Sequence, residues 1–441
     1  MNTSSQSSIS VIGLGKLGSP LAAVLASSGY TVTGVDANPS LVKAISEGRA
    51  PTSEPGLQTL IDSCQSLNST TNCHEAVVNS DITFLVLPTP STDSGWFSNE
   101  YLLSALKEVG SAIKDKSSYH LVVITSTVMP GSMNSEIRET LEKHADKVLG
   151  EQLGLCYHPE FIALGNVIQN MLTPDTLLIG ESDARAGDIL EAVYAEVCKN
   201  EPSIQRMNFV NAELTKIAVN TFVTTKISYA NMLSEVCDKL PGADADVVTT
   251  AVGSDSRIGS KYLKPALGYG GPCFPRDNKA FAALTRELNS SSDIAVATDK
   301  INDRQVTRLL SLITQVTPRG CTIAILGLAY KPETNVCEAS QAVTLANKLN
   351  AQGYKTLCHD PLADRNDCSE LSTEIDFSKD LESVVSSSTT IVITTPWKDY
   401  RELSKFTPNA DQQHQTIVDP WRIINNSGLH HSITLITPGK G

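Results

Sequence analysis

Residues 266–281 read ALGYGGPCFPRDNKAF, so that Cys273 follows two adjacent glycines and precedes Asp277 by four positions. A cysteine does chemistry as its thiolate, which adds to carbonyl carbon and forms covalent intermediates. Gly270 and Gly271 bear no side chains and let a second molecule approach the backbone, while Pro272 and Pro275 stiffen the loop. The stretch from Arg276 to Leu284 reads as a helix, which puts Cys273 near a positive helix end; that field and the Arg276 guanidinium both favour the thiolate. Asp277, one turn along, can hold a water or accept a proton. Upstream, Lys216 and Asn220 lie four apart and therefore on one helix face. A lysine in a partly desolvated pocket can stabilise a developing alkoxide, and a neighbouring amide can orient the same oxygen or a water.

The element that carries Lys216 and Asn220 is long. From about Asn211 the sequence runs some thirty residues without glycine or proline until Pro241-Gly242, with apolar residues at helical spacing through Leu214, Ile217, Ala218, Phe222 and Ile227. This spacing predicts one long helix, a spine between two domains, with Lys216 and Asn220 next to its apolar stripe rather than opposite it.

The first third holds a dinucleotide fingerprint. An apolar run, Ile9 to Ile12, passes directly into Gly13-Leu-Gly15-Lys16-Leu17-Gly18 and then into a helix from Pro20 to Ser28. In such a unit the first glycine makes the turn, the second admits a pyrophosphate and the third lets helix pack on strand. The strand YTVTGVD then delivers Asp36 about twenty residues on, placed for ribose hydroxyls and repelling a 2′-phosphate, so NAD is expected rather than NADP. Two further apolar strands end in Thr89-Pro90 and Ser126-Thr127, and ligands in open parallel sheets sit at such carboxyl ends. The last third repeats the pattern with a turn at Gly327 and a strand ending at Asp360, but lacks the three glycines; this predicts a similar domain rebuilt for another ligand. An NAD site and an activated cysteine in one chain fit oxidation to an acid through a thioester: thiolate adds to an aldehyde, hydride leaves to NAD, and water releases the carboxylate.

Eight segments in order, VIGLGKLG, TSEPGL, STVMPG, HPEFIALGNVIQNMLTPDTLLIG, AELTKIAVNTF, DSRIGSKYLKPALGYGGPCFPRD, ILGLAYKPET and IVDPWR, resemble the UDP-glucose/GDP-mannose dehydrogenase family over nearly the whole chain. The resemblance implies an α/β architecture of two Rossmann-like doubly wound domains joined by a central helical domain with one long spine helix, divided at 1–205, 206–300 and 301–441. It implies two successive NAD-dependent oxidations at C6 of a nucleotide sugar, without a metal. Cys273 would be the nucleophile, Asp277 would work with a water and Lys216 in proton transfer, and Lys216 and Asn220 would stabilise the oxyanion. Thr127 would position the water and Glu160 would be an acid/base. Gly13, Gly15, Lys16, Leu17, Gly18, Asp36, Thr89, Thr127 and Arg276 would bind NAD. Glu160, Phe161 and Ile162, within a stretch reaching Gly165, would line the sugar pocket. Tyr262, Lys264, Tyr269 and Gly270 would hold sugar and nucleotide, with Lys331 and Arg422 from the last domain. Arg257 would enter the site of a second subunit in a homodimer.

UDP-glucose is the favoured substrate because Pro272 and Phe274 flank the cysteine, where relatives acting on N-acetylated sugars carry a preceding histidine; a UDP-N-acetylhexosamine and GDP-mannose follow. A single-oxidation β-hydroxyacid dehydrogenase would have no use for Cys273, and a non-catalytic nucleotide-sugar sensor would not need Lys216, Asn220, Cys273 and Asp277 together. Three positions depart from common family residues: Glu338 for an arginine, Leu164 for an acid, Leu41 for a base.

Composition sets the outer limits. A chain of 441 residues needs two or three domains, and a net charge of −13 argues against general nucleic-acid binding. A confined basic pocket of Lys264, Lys331, Arg257 and Arg422 still suits a pyrophosphate. The start lacks a basic flank and apolar core, and no apolar run reaches membrane length, so a cytoplasmic protein is expected. Ten cysteines without a C-x-x-C pair or Cys/His cluster argue against zinc and against a disulfide framework, leaving most of them reduced and buried.

Overall fold

The computed structural model describes residues 7–408 and 414–441 and contains two compact units, Met1–Ala218 and Val219–Gly441. In the first, β1 (Ser8–Ile12), β2 (Thr31–Val35), β3 (Leu67–Thr70), β4 (Ile82–Leu85), β5 (His120–Ile124), β6 (Leu153–Tyr157), β7 (Thr176–Glu181) and β8 (Ser203–Met207) form one sheet in the order β3-β2-β1-β4-β5-β6-β7-β8. Every pairing is parallel except β6 with β7. Strands such as β4 (ITFL) and β5 (HLVVI) are buried at every position, as a parallel sheet covered on both faces requires. One apolar core packs the helix Gly18–Ser27 under the sheet, and a second packs the helix Glu100–Lys114 on the opposite side. The strand order reverses between β1 and β4, and the glycine turn lies at the carboxyl end of β1, the usual ligand position in this architecture.

In the second unit β9 (Thr322–Leu326), β10 (Lys355–His359), β11 (Asp376–Phe377), β12 (Thr390–Ile393), β13 (Gln415–Val418) and β14 (Ile433–Ile436) form an all-parallel sheet in the order β11-β10-β9-β12-β13-β14. The helices Ala245–Ser254, Phe274–Glu287 and Asp293–Val316 precede it. Asp360, the counterpart of Asp36, is fully buried, and its two oxygens accept from the backbone N–H groups of Leu328, Ala329, Leu362 and Ala363. The acid that could meet a ribose in the first unit is used here to lock the turn itself.

The spine helix spans Phe209–Cys237 and crosses the boundary between the units. Its buried edge differs from the expected stripe. Leu214 and Phe222 are exposed, Ala218 and Ile227 half-buried and Ile217 wholly buried, whereas Glu213, Lys216, Asn220, Thr224, Ser228, Asn231 and Ser234 are buried at spacings of three or four. The covered edge of this helix combines apolar residues such as Ala212, Ile217 and Ala230 with polar groups that find hydrogen-bond partners.

The cysteines also need one correction. Cys337 and Cys368, 31 residues apart, are joined as a disulfide with Cα atoms 5.2 Å apart. Two loops bring them together, so no short spacing in the sequence marks the pair. Of the eight outside this disulfide, four are buried, three half-buried, and only Cys273 is exposed.

Candidate active site

The glycine turn has the shape that a dinucleotide requires. Gly13 takes a positive φ of 96°, and a Cβ on it would fall 2.3 Å from the Val86 carbonyl oxygen; one on Gly18 would fall 1.7 Å from the Gly13 carbonyl oxygen. Gly15, by contrast, faces open space, with Lys16 exposed and Leu17 half-buried beside it. Asp36, half-buried at the end of β2, accepts from Leu14 N–H at 2.7 Å and from Asn38 N–H at 2.8 Å, which fixes the carboxylate across the turn. Thr89 is buried and donates to the Thr127 carbonyl at 2.6 Å, joining the ends of two neighbouring strands. A pyrophosphate against Gly15 and the N–H groups that open the Gly18–Ser27 helix fits this cradle.

A second cluster in the same unit surrounds Glu160. Its Oε1 accepts from the Tyr194 hydroxyl at 3.3 Å and lies 3.7 Å from His158 Nε2, while His158 Nδ1 donates to the Leu178 carbonyl. Lys216 is 6% exposed, donates from Nζ to the Glu160 carbonyl at 2.6 Å and lies 4.5 Å from the centre of the Phe161 ring. A buried ammonium held by a carbonyl oxygen and an aromatic face is partly stripped of water, a suitable state for meeting developing negative charge. Phe161 and Ile162 are half-buried next to it in sequence.

In the second unit Cys273 is the N-cap residue of the helix Phe274–Glu287, which begins two residues nearer the cysteine than the expected start at Arg276. Its carbonyl accepts from Asp277 N–H at 2.8 Å, closing the first turn. Asp277 is wholly buried; Asn220 Nδ2 donates to Oδ2 at 2.6 Å and Arg276 Nε to Oδ1 at 3.1 Å. Gly271 (φ 82°) donates to the Glu338 carbonyl, and a Cβ there would come within 2.6 Å of the Tyr330 ring. Gly270 likewise has no room, since its Cβ would meet the Ala339 carbonyl oxygen at 2.4 Å.

The remaining candidates are placed in different ways. Tyr262, with φ 63°, and Lys264 are exposed, and Tyr262 meets Phe274 edge-on with ring centres 6.2 Å apart. Tyr269 is buried, its hydroxyl donating to Asp299. Lys331 is half-buried. Arg422 is half-buried, and its largely covered side chain donates to the Pro265 and Pro438 carbonyls, with Asp246 at 3.4 Å. Arg257 is exposed and pairs with Asp255.

Two further residues, one in each unit, escape a reading of the sequence. Tyr330 packs on the cysteine loop, and burial first, then the neighbouring Cys273 and Tyr262, hold its phenol well above the ordinary value. Glu213, wholly buried one helical turn before Lys216, accepts from the N–H groups of Gly131 and Met133, both at 2.7 Å, and so ties the loop after Thr127 to the spine helix. Glu213 lies in AELTK, but only the fold shows what its carboxylate meets.

The three segments that carry these clusters match three family models: the NAD-binding domain of the UDP-glucose/GDP-mannose dehydrogenase family over residues 7–198, its central domain over 210–304 and its UDP-binding domain over 324–426. The chain belongs to this family. UDP-glucose 6-dehydrogenase AglM of Haloferax volcanii is 33% identical over 400 residues, covering 90% of this chain and 92% of the relative. A GDP-mannose 6-dehydrogenase of Pseudomonas aeruginosa is 31% identical, covering 79% of each. Among solved structures, a UDP-glucose dehydrogenase from Pyrobaculum islandicum superposes with a TM-score of 0.90 at 30% identity, covering 100% of this chain and 99% of that one.

As a nucleotide-sugar 6-dehydrogenase of this family the chain is an NAD-binding oxidoreductase. Two departures from common family residues have a local explanation: Leu41 and Leu164 both pack against the core of the first unit. Glu338 is exposed and contributes its carbonyl to Gly271.

Burial pushes the Glu213 carboxyl up to about 7 from an ordinary 4.5, against the two N–H donors that pull it down. Because the folded value is the higher one, protonation favours the fold: this contribution is complete below pH 4.5 and is lost as pH rises through about 7. Glu213→Gln cannot titrate, so its stability relative to the parent should rise across that window by roughly 3 kcal/mol. Thermal midpoints of both proteins at matched pH test this, and parallel pH curves would contradict it.

Proposed function

We propose that this enzyme oxidises the C6 hydroxymethyl of UDP-glucose to the carboxylate of UDP-glucuronate in two steps, through a thiohemiacetal and a thioester on Cys273. The observation that carries the proposal is the Asn220–Asp277 contact beneath an exposed Cys273 at a helix N-terminus. Bound NAD+ supplies the hydride acceptor for each oxidation. Lys216 and Asn220 stabilise the oxygen at C6 as it loses its proton. Cys273, favoured as thiolate by the helix dipole and Arg276, forms the carbon–sulfur bond with the aldehyde. Asp277 works with a water and Lys216 in proton transfer, the carboxylate accepting the proton, and Thr127 orients the water whose attack breaks the carbon–sulfur bond and releases the acid. Glu160, backed by Tyr194 and His158, serves as acid/base for the thiohemiacetal and thioester.

Substrate contacts are proposed for Phe161, Ile162, Tyr262, Lys264, Tyr269, Gly270, Lys331 and Arg422. UDP-glucose is favoured by the Pro272 and Phe274 flanks of the cysteine and by the UDP-glucose dehydrogenases among the relatives. A cytoplasmic setting is proposed because the exposed Cys273 thiol must stay reduced, although the Cys337–Cys368 disulfide is uncommon in that compartment.

A homodimer built on the spine helix is part of the same proposal. Phe222, Tyr229 and Val236 recur at seven-residue spacing and are 65%, 45% and 48% exposed, a stripe that a second copy of the helix would cover. Arg257, exposed in the same unit, is the group proposed to reach into the other subunit's site.

Assays of UDP-glucose, UDP-N-acetylglucosamine and GDP-mannose should show two NADH per UDP-glucose and a product that has gained one oxygen and lost two hydrogens. Cys273→Ser should reduce acid formation at least about a thousandfold while leaving NAD affinity within about twofold; one NADH per sugar, or acid formation by the variant, would contradict the thioester route. Phe222→Asp should convert a dimer into a monomer in light scattering, and a monomeric parent would contradict the dimer.

A further inference from the structure

The TSEPGL segment has no role in the chemistry above, although it reaches the loop expected to face the sugar. Residues 160–167 follow β6 and make no strand ladder of their own, so side chains from elsewhere must satisfy their backbone. Asn170 Oδ1 accepts from Ala163 N–H at 3.1 Å. Glu54, more than a hundred positions away in sequence, accepts from Gly165 N–H on Oε2 at 2.9 Å and from Val167 N–H on Oε1 at 2.7 Å. Gly165 has a φ of 82°, a conformation that needs such support.

We propose that Glu54 is a positioning residue that sets the shape of the sugar-facing loop 160–167. The inference rests on the proposed assignment of that loop to the nucleotide sugar. The residue type matters because both oxygens face donors. A carboxylate accepts at both, whereas an amide would turn an NH2 group against a backbone N–H. The same segment also reaches the cofactor side of the unit, since the Thr52 and Ser19 hydroxyls lie 3.2 Å apart and Ser19 is in the helix that opens at Gly18. Leu57, wholly buried at the start of the next helix, anchors the segment to the core. The loop therefore takes its shape from a rigid attachment to the dinucleotide fold.

The test compares full-length parent, Glu54→Gln and Glu54→Asp. Hydrogen exchange of peptides spanning 160–170 reads the loop directly, and KM for UDP-glucose, kcat and NAD affinity read its consequence. Glu54→Gln should speed exchange in that loop and raise KM for UDP-glucose about tenfold or more, with NAD affinity within about twofold. Glu54→Asp, which keeps two acceptor oxygens, should recover part of the KM. Unchanged exchange, an unchanged KM, or losses of sugar and NAD binding in step with thermal stability would overturn the positioning role. Should Glu54→Gln not fold, Asn170→Ala removes the partner of Ala163 N–H, and the same exchange and KM readings then decide. If the parent oxidises none of UDP-glucose, UDP-N-acetylglucosamine and GDP-mannose, the proposed function fails, and exchange alone decides whether Glu54 holds the loop.

Discussion

A carboxylate with no exposure has to be neutralised where it stands, and the Asp277 carboxylate is neutralised by the Asn220 amide and the Arg276 guanidinium. An unpaired buried charge costs several kcal/mol, so this contact constrains how the helix Phe274–Glu287 can lie against the spine helix. That orientation in turn decides where Cys273 emerges. The cysteine is exposed because the acid one turn below it is buried and bound.

The same logic runs along the whole spine helix. Its covered edge carries a column of polar groups, each held by a loop or a helix: Glu213 by Gly131 and Met133, Lys216 by the Glu160 carbonyl, Asn220 by Asp277, Ser228 by the Thr298 carbonyl and Asn231 by Ala266 and Leu267. An apolar edge would pack with many partners; a polar one fits only where donors and acceptors coincide. A helix used this way acts as a ruler within each unit, spacing its partner groups at intervals of one turn. Its outer face, with Phe222 and Tyr229 exposed, is left for other contacts.

How far this was legible depends on whether the information is local. The glycine turn, the strand leading to Asp36, the spine helix and the cysteine-bearing helix are written in short spacings, and the structure contains all of them. Apolar spacing marks the spine helix and the buried Ile217, but it does not tell that Leu214 and Phe222 are exposed while Glu213, Lys216 and Asn220 are covered. The Cys337–Cys368 disulfide and the contacts of Glu213 and Glu54 join residues far apart in sequence, so no window of the chain contains them. Arg422 illustrates the same limit: its place in a short motif says nothing of the Pro265 and Pro438 carbonyls and the Asp246 carboxylate that its guanidinium meets.

The central claim is that the Cys273 sulfur bonds to the substrate carbon, and acid quenching during turnover with NAD+ and UDP-glucose tests it most directly. Mass analysis of the digested protein should find the nucleotide-sugar acyl group on the peptide containing Cys273 and on none of the other cysteine peptides. A turning-over enzyme with an unmodified Cys273 peptide at every quench time, or with the adduct on another residue, would contradict it.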